Sequence, residues 1–420
     1  MSIIYYDIII IGSGMAGLYS AYNIQQKSPN KSFCVLEKYS KNWIGGRTST
    51  DFFYKTSIVT GAGIGRKDKN PLLINLMNKL HVFYSEFKSV MDYSRAFYSE
   101  DIMDVEKIIN KMKKDYKKYP NYGHKTFKQL FCEMYGRHMY NKFILTSGYT
   151  DYENADINET LYNYGMDDNK GGWVGLHVPW KELVYALYDE IGHKNFKFSS
   201  DCVSIEKIKE QPCMFQIITE DGKFYYSNKV IIATNISGIQ KLVPGASNKK
   251  SIYQQIHGQP FLRLYAKFDE KSAKIMKKYV VNYTIVTGPL QKIIPIKPDK
   301  GVYMISYSDN NNALALKEYL ENTPYNRKFF CELLEKTLGI PKGNLLIIAI
   351  KEYYWPIGTH YYEPLRRNFA SRDDFVDQAQ HPQKGMIVVG EAVSRYQGWV
   401  EGALESVKKV LTKKWIDEVC

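Results

Sequence analysis

The sequence predicts an α/β protein whose core is a doubly wound parallel sheet of Rossmann type, joined to a second body of mixed helices and strands. Three observations predict it. A run of isoleucines ends in a glycine-rich turn that opens a helix pattern. The next strand pattern ends in an acid. A second buried strand and a helix close the chain at Met386–Val389 and from Val400. The chain has 420 residues, enough for about two or three domains. Its 44% apolar and 24% charged residues are the balance of a soluble globular protein.

Asp7–Ile11 reads as a strand buried on both faces, because four consecutive isoleucines leave no polar face. Gly12-Ser13-Gly14-Met15-Ala16-Gly17 follows, then a helix pattern through Leu18, Ala21 and Ile24. Gly12 permits the tight turn out of the strand. Gly14 lets the backbone approach a pyrophosphate, and Gly17 lets helix and strand pack closely. The helix N-terminus offers unpaired N–H groups and a positive dipole end to phosphate. Phe33–Leu36 is a second strand pattern ending at Glu37, twenty residues past Gly17. A carboxylate there accepts hydrogen bonds from ribose hydroxyls and disfavours a 2′-phosphate. These residues predict a dinucleotide site and do not separate FAD from NAD. Trp43-Ile44-Gly45-Gly46-Arg47-Thr48 comes next. Its paired glycines suit a loop running along a cofactor, with Arg47 free to face phosphate or the far end of the ligand.

The order G-x-G-x-x-G, then Glu37, then Gly45-Gly46-Arg47 resembles the flavin-containing amine oxidase family, which includes monoamine, polyamine and L-amino-acid oxidases. Further landmarks follow in that family's order. Thr60-Gly61-Ala62-Gly63-Ile64-Gly65-Arg66 resembles the glycine-rich loop passing the flavin ring. Gly171-Gly172-Trp173, before a helix pattern at Lys181–Leu187, resembles the segment re-entering the nucleotide domain. Val203–Ile208, Met214–Thr219 and Phe224–Tyr226 read as a meander with a turn at Asp221-Gly222, and Lys229–Ala233 as a further buried strand. The resemblance implies that the backbone of Val203 contacts adenine. The last block, Gly390-Glu391-Ala392 and Gln397-Gly398-Trp399-Val400-Glu401-Gly402-Ala403, closely matches the family's final flavin-binding signature. Glu391, at the end of a strand, can bond a ribityl hydroxyl. A helix starting at Val400 can turn its positive end to the flavin pyrimidine edge, where reduced flavin is negative.

The resemblance implies a discontinuous FAD domain at 1–68, 178–255 and 375–420. It also implies a discontinuous α+β substrate domain, with a mostly helical part at 69–177 and a sheet-and-helix part at 256–374. Helix patterns at Leu72–Leu80 and Thr126–Arg137 fit the first insert. Strand patterns at Leu262–Phe268, Gly301–Tyr307 and Leu345–Tyr354, with a helix at Tyr325–Thr337, fit the second.

In the family, two aromatic rings flank the substrate amine. Trp399 occupies one position, Tyr361 is the choice for the other, and Trp355 matches the family tryptophan upstream. The implied chemistry is oxidation of a C–N bond to an imine, hydrolysis to a carbonyl, and return of electrons to oxygen as hydrogen peroxide. The cofactor carries the electron chemistry, and the protein orients the amine and excludes water. One position departs from the pattern: Arg263 stands near where many members place a lysine. Arginine stays charged at all working pH. It can instead pair with a substrate carboxylate or a structural acid. Thr359 and His360 lie where a cysteine would link flavin covalently, so FAD is expected to be noncovalent. Two rival readings stay open: a desaturase or protoporphyrinogen-type oxidase on the same scaffold, and a flavin-binding interaction protein with little turnover.

The net charge is +13, which allows an acidic partner. The densest lysine run, Glu106–Tyr119, carries Ile108, Ile109 and Met112 at helical spacing, so its lysines are expected on a solvated face. No nucleic-acid motif stands beside it. The six cysteines, at 34, 132, 202, 213, 331 and 420, include no C-x-x-C and suggest free thiols and no metal site. The N-terminus lacks a basic, cleavable leader, and no run is long enough to cross a bilayer. The expectation is a soluble intracellular protein with a small-molecule amine substrate.

Overall fold

The structure is a computed structural model, and it describes residues 4–97, 102–163, 171–210 and 213–419. Ile4–Ile11 lies at the centre of the first sheet, parallel to Phe33–Leu36 on one side and to Phe224–Ile232 on the other. Phe196–Lys197 extends the sheet beyond Phe33–Leu36, and Met386–Val388 pairs in parallel with Phe224–Ile232. The isoleucine run has its predicted cause. Ile8 and Ile10 enter one core with Leu18, Ala21, Leu183 and Leu404, while Ile9 and Ile11 enter another with Ile232, Phe215 and Phe375. A strand covered on both faces has no side left for polar residues. Helices Met15–Lys27, Trp180–Ile191 and Val400–Val410 contribute to the first of these cores.

The meander forms as expected, with Cys202–Lys209 and Met214–Thr219 antiparallel. The predicted strands Phe224–Tyr226 and Lys229–Ala233 are one continuous strand, Phe224–Ile232. It has three partners: its first half pairs antiparallel with Met214–Thr219, its last residues pair parallel with Met386–Val388, and it runs parallel to Ile4–Ile11. Ser227 and Asn228 were read as a break, yet neither forbids extended backbone.

The second sheet runs in the order Ile347–Tyr362, Ile256–Phe268, Val302–Asp309, Lys292–Lys297, Tyr283–Ile285, Met91–Tyr93. Its two longest strands are antiparallel, with Arg263 opposite Tyr353. The sequence reading stopped one of these strands at Tyr354 and began the other at Leu262. Both continue past a bulge where Pro260 and Pro356 sit, between the pairs Gln259–Thr359 and Phe261–Trp355. That continuation carries Thr359, His360 and Tyr361 toward the first sheet.

The 69–177 stretch is less helical than expected. Ser85–Lys88 and Val174–His177 pair with each other, and Met91–Tyr93 joins the second sheet through Tyr283–Ile285. Such short strands carry little local signal because their hydrogen-bond partners are distant in sequence. Helix Pro71–Lys79 packs Leu73, Leu76 and Met77 into the core shared with Val400–Val410. Helices Val105–Asp115, Phe127–Tyr135, Arg137–Ser147 and Ile157–Asn163 enclose a separate core around Phe127, Phe131, Tyr140 and Phe143. Ile109 and Met112 point into it, and Lys107, Lys111, Lys114, Lys117 and Lys118 are exposed, as the periodicity predicts.

Cys34, Cys132, Cys202 and Cys331 are free. Cys213 is disulfide-bonded, which corrects the reading of free thiols. Cys420 lies outside the described residues. No helix among the described residues is long and apolar enough to cross a membrane.

Candidate functional site

A single cavity of about 1560 Å³ is walled by both sheets' ends. At one end lies the strand–turn–helix. Gly12 has φ +101°, and a Cβ there would stand 2.6 Å from the Ala233 carbonyl oxygen. Gly17 has no room either: its Cβ would be 1.9 Å from the Gly12 oxygen. Gly17 therefore serves helix–strand packing and is not in the cavity wall. Gly14 differs, because a Cβ on it would meet nothing within 4 Å. It opens on the cavity beside Met15 and Ala16, at the start of helix Met15–Lys27. Glu37 also lines the cavity. Ser13 donates to its Oε2 from both N–H and Oγ at 2.8 Å, and Tyr39 N–H donates to Oε1 at 2.9 Å. The acid thus braces the turn while facing the cavity.

Gly45 and Gly46 run beside this turn. Gly45 N–H donates to the Ser13 oxygen at 2.9 Å, and the nearest atom to a Cβ on Gly46 would be the Gly14 Cα at 3.9 Å. Two side-chain-free positions thus face each other along the wall. Arg47 turns away from this glycine turn. Its Nη1 donates to the Gly358 oxygen at 2.6 Å and to Glu391 Oε1 at 2.9 Å.

The loop carrying Gly61, Ala62 and Gly63 is held by three side-chain donors. Trp355 Nε1 donates to the Thr60 oxygen at 2.7 Å, Arg263 Nε to the Gly61 oxygen, and Trp180 Nε1 to the Gly63 oxygen at 2.9 Å. Arg263 faces neither solvent nor a paired acid. It is buried, its guanidinium lies 4.3 Å from the Tyr307 ring centre, and Nη1 is 3.6 Å from Met304 Sδ. Trp355 packs edge-on to Trp43.

Gly390 and Glu391 end the strand Met386–Val388 at the other end of the cavity. Burial raises the Glu391 carboxyl, but His360 and Arg47 beside it, with the Gly398 N–H, outweigh burial and hold it at about 2. Trp399 precedes helix Val400–Val410, and no side chain caps that helix. Val400 therefore presents an open, positive helix end to the cavity. Glu401, in the first turn, is directed elsewhere: its two oxygens accept from Leu72 and Leu73 N–H and cap helix Pro71–Lys79. The Trp399 ring stands edge-on to buried Trp180, centres 6.0 Å apart. Tyr361 stacks on His257, its cross-strand neighbour, at 5.2 Å. Both rings line the cavity, each backed by its own partner.

Val203 is outside the wall, which is formed there by Ser200, Asp201 and Cys202. Val203 sits at a bulge, between the pairs Cys202–Thr219 and Ser204–Ile218, which leaves it unpaired in that ladder. The sequence reading does not name His360, which lines the cavity, as a site member, nor Trp180, Lys292 and Asp309, which lie outside the wall. Lys292 is 1% exposed, lies against the Tyr149 ring and stands 4.5 Å from the Tyr307 ring centre. Burial drives its amine well below the usual lysine range, against the pull of Asp309 and Asp151. Asp309 accepts from Thr150 N–H at 3.1 Å, Thr150 Oγ at 2.5 Å and Gln291 Nε2 at 3.0 Å. A lysine beside Ile293 and Ile294 reads in sequence as a solvated strand end, so no local signal marks it. No cluster of three metal-ligating side chains is found among the described residues.

Residues 10–80 match the NAD(P)-binding Rossmann-like domain family. Uncharacterized protein R188 of Acanthamoeba polyphaga mimivirus is 19% identical, over 97% of this chain and 93% of that protein. Two solved structures from a redesign of cofactor binding in putrescine oxidase superpose across nearly the whole chain. A triple mutant gives a TM-score of 0.73 and a double mutant 0.75. Each is 14% identical, with 97% of this chain and 98% of the other covered. The chain therefore shares the fold of these putrescine oxidase structures and carries an NAD(P)-binding Rossmann-like segment at residues 10–80.

Proposed function

We propose that this chain is an FAD-dependent oxidase of amines. The observation that carries the reading is the continuity of one cavity. It runs from the side-chain-free cradle at Gly14 and Gly46, past the clamped loop Gly61–Gly63, to Glu391, Trp399 and the open end of helix Val400–Val410. These residues fit FAD. The cradle and the N-terminus of helix Met15–Lys27 suit a pyrophosphate. Glu37 suits the adenosine ribose, and Val203, unpaired at its bulge, offers backbone near the adenine. Glu391 would accept from a ribityl hydroxyl, and the Val400 helix end would face the pyrimidine edge. Among the described residues no cysteine lines that end of the cavity, which supports a noncovalently held cofactor.

When bound, FAD would supply the two-electron oxidation of the amine C–N bond to an imine, which water would hydrolyse to a carbonyl and ammonia or a smaller amine, the electrons passing on to oxygen as hydrogen peroxide. The chain's own part is geometric. Trp399 and Tyr361 flank the amine, and their backing by Trp180 and His257 keeps the rings from collapsing together. Trp355 and Arg263 act through the loop whose carbonyls they hold. The division into an FAD domain at 1–68, 178–255 and 375–420, with the remainder forming a substrate domain, belongs to the same proposal.

The test is direct. Purified protein should show the yellow flavin spectrum or take up added FAD. Screening monoamines, polyamines and amino acids should find one that bleaches the flavin anaerobically and yields peroxide in air. Full FAD occupancy with no bleaching by any amine would reject the amine reading.

A further inference from the structure

We infer that His360 is the positioning residue that locks the Tyr361 strand to the Trp399 turn, through the Glu391 carboxylate. The inference rests on the flavin reading for its consequence, but its geometry stands alone. The His360 side chain is fully buried and crosses from the second sheet into the nucleotide-binding body. Its Nε2 accepts from Ile236 N–H at 3.0 Å. A ring nitrogen that accepts a hydrogen bond carries no proton, so the proton sits on Nδ1 and is donated to Glu391 Oε1 at 2.5 Å. The nitrogen that donates to Glu391 is thus set by the backbone.

Glu391 spends its oxygens on three segments. Oε1 takes His360 and Arg47; Oε2 takes Gly398 N–H at 2.8 Å. Gly398 has φ +81° and is followed by Trp399. Tyr361 follows His360 on its strand. One imidazole therefore ties the strand bearing one aromatic wall to the carboxylate that holds the turn bearing the other. Arg47 alone would not replace it, because its side chain is partly exposed and already shared with the Gly358 oxygen. Without His360, Glu391 keeps its charge but loses the donor that fixes its direction. Both the spacing of the walls and the carboxylate's aim at a ribityl hydroxyl then relax.

The experiment compares full-length His360→Phe and His360→Gln. Phenylalanine keeps the ring volume and removes donor and acceptor; glutamine restores one of each. FAD dissociation constants and the visible circular dichroism of bound flavin are the readouts. His360→Phe should bind FAD about tenfold more weakly or worse, with an altered flavin band, as expected for a lost hydrogen bond to a charged group. His360→Gln should recover most of both. Equal affinity and an unchanged band in His360→Phe, or glutamine no nearer wild type than phenylalanine, overturns the inference. If His360→Phe does not fold, Glu391→Gln takes its place, because an amide cannot accept from all three donors; unchanged affinity then overturns the inference. If wild type takes up no flavin, the cofactor reading fails instead. The lock is then judged by the 1H–15N spectrum of histidine-labelled protein. It should contain an Nδ1–H resonance that moves in Glu391→Gln, and one that stays put refutes it.

Discussion

Replacing Gly14 with alanine separates what the cradle does for folding from what it does for the ligand. Gly14 has φ −68° and ψ 177°, extended backbone that any residue adopts, and its added Cβ meets no atom within 4 Å. The folded protein therefore loses nothing, and the lower entropy of the unfolded chain adds about 0.4–1 kcal/mol of stability. The methyl group would occupy the space left for a pyrophosphate. Keeping the phosphate off the helix N-terminus removes one or two charge-assisted backbone hydrogen bonds, about 1.5–3 kcal/mol each. That corresponds to roughly ten- to 150-fold weaker FAD binding for one bond, and more if both are lost. Gly17→Ala is the contrast: its Cβ falls 1.9 Å from a main-chain oxygen, so the helix must shift, at about 1–3 kcal/mol or more. Denaturant melts and FAD titrations of both variants give four numbers. Gly14→Ala should be stable and weak-binding, and Gly17→Ala unstable. Wild-type FAD affinity in stable Gly14→Ala would refute the cradle argument.

Three further outcomes follow from the same geometry. Lys292→Met should stabilise the protein at neutral pH, since wild type must bury an amine that the unfolded chain keeps protonated. Because the unfolded state binds the extra proton, the advantage should shrink as pH rises through about 10.5; a variant less stable than wild type at pH 7 in urea melts would show that the buried amine is a stabilising charge. Glu391, held at about 2 against an ordinary 4.5, contributes about 3 kcal/mol above the ordinary value and loses it as pH falls toward 2. Glu391→Gln should therefore flatten part of the acid denaturation curve below pH 4.5, and identical curves would contradict the depressed value. Trp399→Ala should retain FAD, measured by absorbance, and lose amine turnover; unchanged turnover would remove that ring from the site.

Local chemistry made much of the nucleotide-binding half legible. Gly17 answers a constraint only a few residues away, at the Gly12 oxygen, and the isoleucine run reports its own two-sided burial. Helix periodicity likewise placed Ile109 and Met112 inward and the neighbouring lysines outward. The short strands Ser85–Lys88 and Met91–Tyr93, and the extension of the Ile347–Tyr362 strand past Pro356, were not legible. Their formation depends on partners dozens to hundreds of residues away.

By itself the sequence determined the turn, the acid after the second strand, the alternation of core residues and the order of the glycine-bearing segments. Those are consequences of backbone sterics and of side chains that repeat within a strand or a helix turn. Only the tertiary structure decided that Arg263 would grip the Gly61 carbonyl, that Arg47 would reach Glu391, that Lys292 would be buried and that His360 would bridge two bodies. A hydrogen bond between residues separated by tens to hundreds of positions leaves no periodicity in either segment. It exists only once two sheets have packed and excluded the water that would otherwise satisfy the same groups.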